Sequence, residues 1–195
     1  LTREGQKVEP AKIEAMTNFA RPTNAHFTRS FLGLTQYYKK FIEGYSKIAT
    51  PLNQFLRKDV KFEWTPQCEE AFLTLKQKLT TTPILRFVDL KKRLIITTDA
   101  SMAAIAWVVS QIGPDGREHP CFYGGRSLND TERNWGVTDK EGLALITAIK
   151  EHSHILMHNH FTVFTDHISL TYLHTIKGST GRLARWSILL QGYSF

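Results

Sequence analysis

The sequence predicts an α/β chain in two parts, a basic and mostly helical first part followed by buried strands flanked by helices. Three observations predict it. Large apolar residues recur at helical spacing up to about residue 80. Two continuous apolar and β-branched runs, Leu94–Thr98 and Phe161–Thr165, then read as buried strands with a helical segment between them. The charge divides at the same place, with 17 Lys and Arg against 9 Asp and Glu in residues 1–93, and 8 against 9 in residues 94–195. All histidines but His26 fall in the second part. Such asymmetry suits two units with different tasks.

In the first part, Pro22 and Asn24 precede Phe27, Phe31, Leu34, Tyr38 and Phe41, whose steps of four, three, four and three predict one buried helical face. Lys39 and Lys40 lie off that stripe. Pro51–Leu56 predicts a short helix with proline in its first turn. Thr65-Pro66 predicts an N-cap and N1 pair, followed by a stripe of Cys68, Phe72, Leu75 and Leu79, and Thr82-Pro83 ends that helix. No chemistry is visible here. The basic surface fits contact with a phosphate backbone, though composition alone favours a solvated packing module.

In the second part, Leu94–Thr98 ends at Asp99. A strand over Ala104–Gln111 turns at Gly113-Pro114-Asp115-Gly116 and returns antiparallel at His119–Tyr123. A helix follows over Thr138–Glu151, then the strand Phe161–Thr165 ending at Asp166, and a short helix around Leu170–His174. Arg182–Leu190 reads as a basic amphipathic helix, where Arg182 and Arg185 either contact phosphate or face solvent.

At 195 residues, the chain is one large or two small domains able to bury a core. No apolar run approaches the ~18–20 residues that cross a bilayer. There is no basic-then-apolar leader, so the expectation is an intracellular protein of cytoplasm, particle or nucleus, not secreted. Opening on Leu1 and stopping at Phe195 in an apolar-rich stretch, it reads as a fragment. Cys68 and Cys121 stand far apart, arguing against a disulfide framework. A net charge of +7 makes a polyanion partner plausible without naming one.

The chemistry gathers at the strand ends. A strand–helix–strand crossover makes neighbouring strands parallel, so Asp99 and Asp166 fall on one edge of the sheet, where open α/β sheets place their sites. Glu141, near the start of the intervening helix, reaches the same point. Three carboxylates without basic partners repel one another and need a cation, and hard oxygen donors suit Mg²⁺ or Mn²⁺. Each also has an ordinary reading. Glu141 can close a capping box with Thr138, Asp99 can cap the turn through Ala100-Ser101, and Asp166 can cap the helix after His167. His152, His154, His158 and His160 suggest zinc, but lack accompanying cysteines and fit a surface or partly buried cluster.

Collinear motifs carry a resemblance along nearly the whole chain. Phe31-Leu32-Gly33-Leu34, Tyr37-Tyr38-Lys39-Lys40-Phe41-Ile42, Ala49-Thr50-Pro51-Leu52, Phe62-Glu63-Trp64-Thr65 and Ala71–Lys76 occupy the first part. Thr98-Asp99-Ala100-Ser101, Tyr123 with Arg126-Ser127-Leu128, Glu132-Arg133-Asn134-Trp135, Lys140-Glu141, Thr165-Asp166-His167 and Arg185-Trp186 follow. The chain resembles the end of the Pol polyprotein of gypsy-type long-terminal-repeat retrotransposons and, more distantly, retroviruses. Residues 1–90 resemble the reverse transcriptase thumb and connection, and 91–195 a ribonuclease H (RNase H)-like domain cut short at its C-terminal end.

The resemblance implies a mixed sheet of three antiparallel strands extended by parallel ones, with a last strand beginning near Tyr193–Phe195. It implies an endonuclease of an RNA-directed DNA polymerase polyprotein, hydrolysing the RNA strand of an RNA–DNA hybrid with two Mg²⁺ or Mn²⁺ ions. Asp99, Glu141 and Asp166 would be the catalytic and metal-holding residues, and Arg126, Arg182, Arg185, Lys39 and Lys40 nucleic-acid contacts. The polymerase palm would lie upstream, and the rest of Pol, with a fourth carboxylate, downstream. Where the family carries Gly-x-Gly after its Thr-Asp-Ala-Ser, this chain has Ala104 and Ala106 followed by Trp107, extra bulk that bears on tight strand packing. The alternative is a non-catalytic nucleic-acid-binding or structural remnant of a retroelement.

Overall fold

The computed structural model of the chain describes residues 5–57, 60–81, 85–168, 170–171 and 181–195. Four helices open it: α1 (Pro10–Thr17), α2 (Ala25–Tyr37), α3 (Tyr45–Asn53) and α4 (Pro66–Thr80), with 3-10 turns at Lys39–Phe41 and Gln54–Leu56. Strands β1 (Leu94–Ala100), β2 (Ala104–Ile112) and β3 (Glu118–Ser127) follow. Helices α5 (Asp130–Arg133), α6 (Val137–Glu151) and α7 (Ser153–Leu156), strand β4 (Phe161–Phe164) and helix α8 (Arg182–Leu190) complete it. None of the described helices is long and apolar enough to cross a membrane.

The α2 stripe is rotated from the expected one. Asn24 caps the helix by accepting from the Phe27 N–H, and the inward face is Thr28, Phe31, Leu32 and Thr35, leaving Phe27 49% exposed. Buried threonines are tolerated because both hydroxyls are satisfied, Thr28 by the Asn24 carbonyl and Thr35 by Leu32 and the Tyr45 hydroxyl. Phe31 packs on Phe19 and Phe72, with ring centroids 5.3 and 4.7 Å away. The helix expected to begin at Pro51 begins instead at Tyr45. Gly44 precedes it with φ +68, a conformation glycine adopts freely, and Pro51 falls in the last turn. Pro51 lacks the N–H that would bond the Lys47 carbonyl, and three residues on the helix tightens into a 3-10 turn. Helix α4 follows the sequence closely. Thr65 accepts from the Cys68 N–H, and Cys68, Phe72, Leu75 and Leu79 are buried. Thr82-Pro83 lies outside the described residues.

The sheet runs β3-β2-β1-β4, antiparallel except for the parallel pair β1–β4. On one face, Leu94, Ile96, Ile105, Trp107 and Val109 pack with Ala144, Leu145, Ala148 and Ile149 of α6. On the other, Tyr123 joins the core of the first part and α3 lies against β2 and β3. Leu170 is buried in a turn after β4, and residues 172–174 of the helix expected there lie outside the described residues. The expected strand near Tyr193 is absent among the described residues. Instead α8 ends in a turn whose Ser194 carbonyl accepts from the Phe161 N–H, while Tyr193 and Phe195 close over the Phe161 ring.

The bulk at Ala106 and Trp107 is absorbed across the ladder. Ala106 faces Gly125 and Trp107 faces Gly124 on β3. A Cβ at Gly124 would stand 2.1 Å from the Trp107 indole, and one at Gly125 would stand 2.7 Å from the Ile105 carbonyl oxygen. The space lacking on β2 is thus provided by its partner strand. Gly124→Ala is therefore expected to destabilise the fold by about 1–3 kcal/mol, the usual cost of overpacking, measured by urea denaturation. A change below the error of that measurement would show that Trp107 can move aside.

Candidate active site

The register of the parallel pair aligns the two strand-end aspartates. Thr97 pairs with Phe164, and Asp99 and Asp166 each stand two residues beyond that pair. Both are exposed. Glu141, in the second turn of α6, is drawn to the same place, its Oε1 accepting from the Ala100 N–H at 3.1 Å. Glu141 is only 4% exposed, and its Oε2 is buried without a hydrogen-bond partner. Burial, with Asp166 and Asp99 repelling a further negative charge, pushes its carboxyl up to about 7 despite the opposing Ala100 N–H.

The capping-box reading of Glu141 does not hold, and the helix that Asp166 is expected to cap lies partly outside the described residues. Helix α6 starts after Gly136, so Thr138 is inside its first turn, and Thr138 Oγ1 meets His167 Nε2 at 3.3 Å instead of closing a capping box. The capping box belongs to α5, where Asn129 and Glu132 bond each other's backbone N–H. The turn after β1 is held by Ser101, whose Oγ donates to the Ala104 carbonyl and accepts from the Ala103 and Ala104 N–H groups. After β4, Thr165 Oγ1 accepts from the His167 N–H.

The donor set suits a hard cation. Glu141 Oε2 is buried without a hydrogen-bond partner, and the Thr98 hydroxyl and His167 Nδ1 are likewise buried and unpartnered. Among the described residues, no three His, Cys, Asp or Glu side chains stand close enough together to hold an ion as they are.

The histidine cluster His152, His154, His158 and His160 does not gather into a site. His152 is buried, accepts from the Trp107 indole N–H at 3.2 Å and stacks on Phe122, and burial holds its imidazole down to about 4, so it is a neutral core residue. His154, His158 and His160 are exposed.

The basic residues divide. Arg126 forks onto both Glu132 oxygens at 2.7 and 2.8 Å, which holds the Glu132 carboxyl below its ordinary value. Arg182 is taken up by Asp139 and lies 3.4 Å from the Trp135 ring centroid. Lys40 donates to Gln6. Lys39 and the exposed Arg185 have no ion pair among the described residues. Lys39 and Arg126 nevertheless share a groove of about 540 Å³ between the first part and β3, with Arg57 and Arg133 beside them. Arg57 and Arg133 both lean on Asp130. Sequence reasoning missed these two because residues more than seventy positions apart build the groove. Removing Glu132 with Glu132→Ala breaks the cap and strands Arg126; a loss of about 1–3 kcal/mol on chemical denaturation is expected.

Comparison with known proteins shows the family and the fold. Residues 89–193 match the family described as the RNase H-like domain found in reverse transcriptase. The whole chain is 39% identical to part of the retrovirus-related Pol polyprotein from transposon 297 of Drosophila melanogaster, covering 18% of that protein. Over 94% of its length it is 36% identical to the transposon Tf2-3 polyprotein of Schizosaccharomyces pombe, covering 14%. It thus spans less than a fifth of these relatives. In fold it resembles the foamy viral protease-reverse transcriptase in complex with RNA/DNA hybrid, with a TM-score of 0.76 at 18% identity over 97% of this chain and 26% of that one. The same viral protein in complex with dsDNA gives 0.72 over 94% and 39%. With its mixed sheet, crossover helix and strand-end carboxylates, the chain belongs to the family of RNase H-like domains found in reverse transcriptases, within retrotransposon Pol polyproteins.

Proposed function

We propose that residues 91–195 hydrolyse the RNA strand of an RNA–DNA hybrid and that residues 1–90 help to hold that hybrid. One observation carries the reading: Asp99 and Asp166 leave adjacent parallel strands at matched positions while Glu141 is bonded to the backbone beside Asp99. Asp99, Glu141 and Asp166 would hold Mg²⁺ or Mn²⁺, whose chemistry is activation of water and neutralisation of charge on the attacked phosphate. The Ala100 N–H fixes one Glu141 oxygen and leaves the other directed for use. Ser101 keeps the turn after β1 closed, so that Asp99 is presented from a fixed backbone. Selection of a hybrid would rest on 2′-hydroxyl and backbone contacts. The Lys39–Arg126 groove offers such backbone contact, and the foamy viral relative in complex with RNA/DNA hybrid supports this choice of substrate.

The full chain incubated with a labelled RNA–DNA hybrid and Mg²⁺ is expected to shorten the RNA and leave the DNA intact, and chelation by EDTA to stop it. A second reading, hybrid binding without hydrolysis, is favoured by the separation of the three carboxylates beyond shared-ligand distance. Salt-sensitive binding with intact RNA at every Mg²⁺ and Mn²⁺ concentration would select it.

A further inference from the structure

Asp99 opens onto a cleft that the sheet does not build alone. About 240 Å³ in volume, it is walled on one side by Thr97, Asp99, Ala106 and Val108, and on the other by Glu43, Gly44 and Lys47 from the start of α3. The helical part therefore reaches Asp99, one of the three candidate site residues. Lys47 is the one basic side chain lining this cleft among the described residues, is exposed, and pairs with neither Asp99 nor Glu43. An ammonium group on the wall facing a carboxylate-rich strand end is placed to meet an anion that those carboxylates by themselves would repel.

We propose that Lys47 is a positioning residue that binds a phosphodiester of the strand being cut, so that the first part completes the hydrolytic site of the second. This rests on the hydrolase reading above. The strand's negative backbone faces repulsion from Asp99, Asp166 and Glu43, and Lys47 supplies the opposing charge from the wall of the cleft. Its anchor is rigid. Helix α3 begins just after Gly44, and both the Lys47 and Ile48 N–H groups bond the Gly44 carbonyl. The helix is pressed onto the sheet where Gly125 leaves room: a Cβ there would meet Ser46 Oγ at 3.4 Å as well as the β2 backbone. Ser46 and Lys47 are adjacent, so the close approach that seats α3 also sets where the Lys47 backbone stands. Glu43, on the same wall, works against binding and makes the sign of the effect testable.

The experiment uses the full chain and a fluorescein-labelled RNA–DNA hybrid without divalent ion, so that nothing is cleaved, and follows anisotropy from low to moderate salt. Lys47→Gln is expected to weaken binding about 3–10-fold and to reduce the slope of log Kd against log salt by about one. Lys47→Arg is expected to restore both, and Glu43→Gln to tighten binding. Lys12→Gln, on the exposed face of α1, serves as the control for loss of one positive charge. With Mg²⁺ present, KM is expected to rise more than kcat falls in Lys47→Gln. Equal affinity and slope for wild type, Lys47→Gln and Lys47→Arg, with the wild type cleaving the hybrid, overturns this inference alone. A wild-type chain that neither binds nor cleaves the hybrid overturns the hydrolase reading and this one with it.

Discussion

Replacing Asp99 with asparagine is expected to reduce Mg²⁺-dependent cleavage of an RNA–DNA hybrid by roughly 10²–10³-fold or more, the scale on which a single charge-stabilising group acts in catalysis. The fold should be untouched. Asp99 is exposed at the end of β1, while the turn that follows is closed by Ser101 and the adjacent Ala100 N–H is engaged by Glu141. Asparagine keeps the shape and removes the charge. Hybrid binding without divalent ion should be equal or slightly tighter, because one carboxylate repelling the phosphates is gone. Cleavage by Asp99→Asn at the wild-type rate would remove Asp99 from the site. Loss of activity with a lowered unfolding midpoint would assign it a structural role.

Glu141 carries the second large effect, on stability and its dependence on pH. Its folded-state carboxyl lies at about 7, above the ordinary 4.5, with burial the first cause and the neighbouring aspartates adding to it. The native state therefore holds this proton where the unfolded chain has lost it. Without divalent ion, the contribution of Glu141 to stability falls as pH rises from about 4.5 to about 7. The buried neutral His152 contributes in the opposite sense between about 4 and 6.5, so the comparison with Glu141→Gln isolates the carboxyl. A shift of that size corresponds to on the order of 3 kcal/mol, an upper bound for a group that can relax toward water. Glu141→Gln retains an oxygen to accept from Ala100 and carries no charge. Urea denaturation should show the glutamine variant more stable than wild type at pH 8 by about 2–3 kcal/mol and close to it at pH 4. Mg²⁺ is expected to stabilise the wild type at pH 8 and to leave Glu141→Gln nearly unchanged, and wild-type cleavage to rise with pH through about 7. A constant difference between the two proteins from pH 4 to 8 would contradict the buried-carboxyl account.

Much of this chain was legible from local pattern. Thr65-Pro66 and the Cys68–Leu79 stripe mark α4 because an N-cap, a proline at N1 and 3.6-residue periodicity all act within one helix. Leu94–Thr98 and Phe161–Thr165 mark the neighbouring parallel strands because each run is short, apolar and ends in a polar turn. From these, Asp99 and Asp166 at one sheet edge follow by topology, and Glu141 by its place on the crossover helix. The collinear motifs identified the family before any contact was known.

Other features depended on partners distant in sequence. The α2 face turned inward by one position because Thr35 found the Tyr45 hydroxyl and Phe31 found Phe72, neither of which periodicity within α2 can reveal. Arg126 and Arg182, basic residues in exposed-looking stretches, were taken up by Glu132 and Asp139. The bulk of Ala106 and Trp107 on β2 was met by Gly125 and Gly124 across the ladder, since a clash between strands can be relieved from either side. What the sequence by itself determined is the order and type of the elements and the carboxylates at their ends, because these follow from neighbours within a turn or two of chain. Tertiary structure alone decided which charges remain free, that Glu141 is buried with one oxygen unpartnered, and that Lys47 shares a cleft with Asp99. Those outcomes depend on burial and on distances between residues up to fifty or more positions apart, which no local pattern encodes.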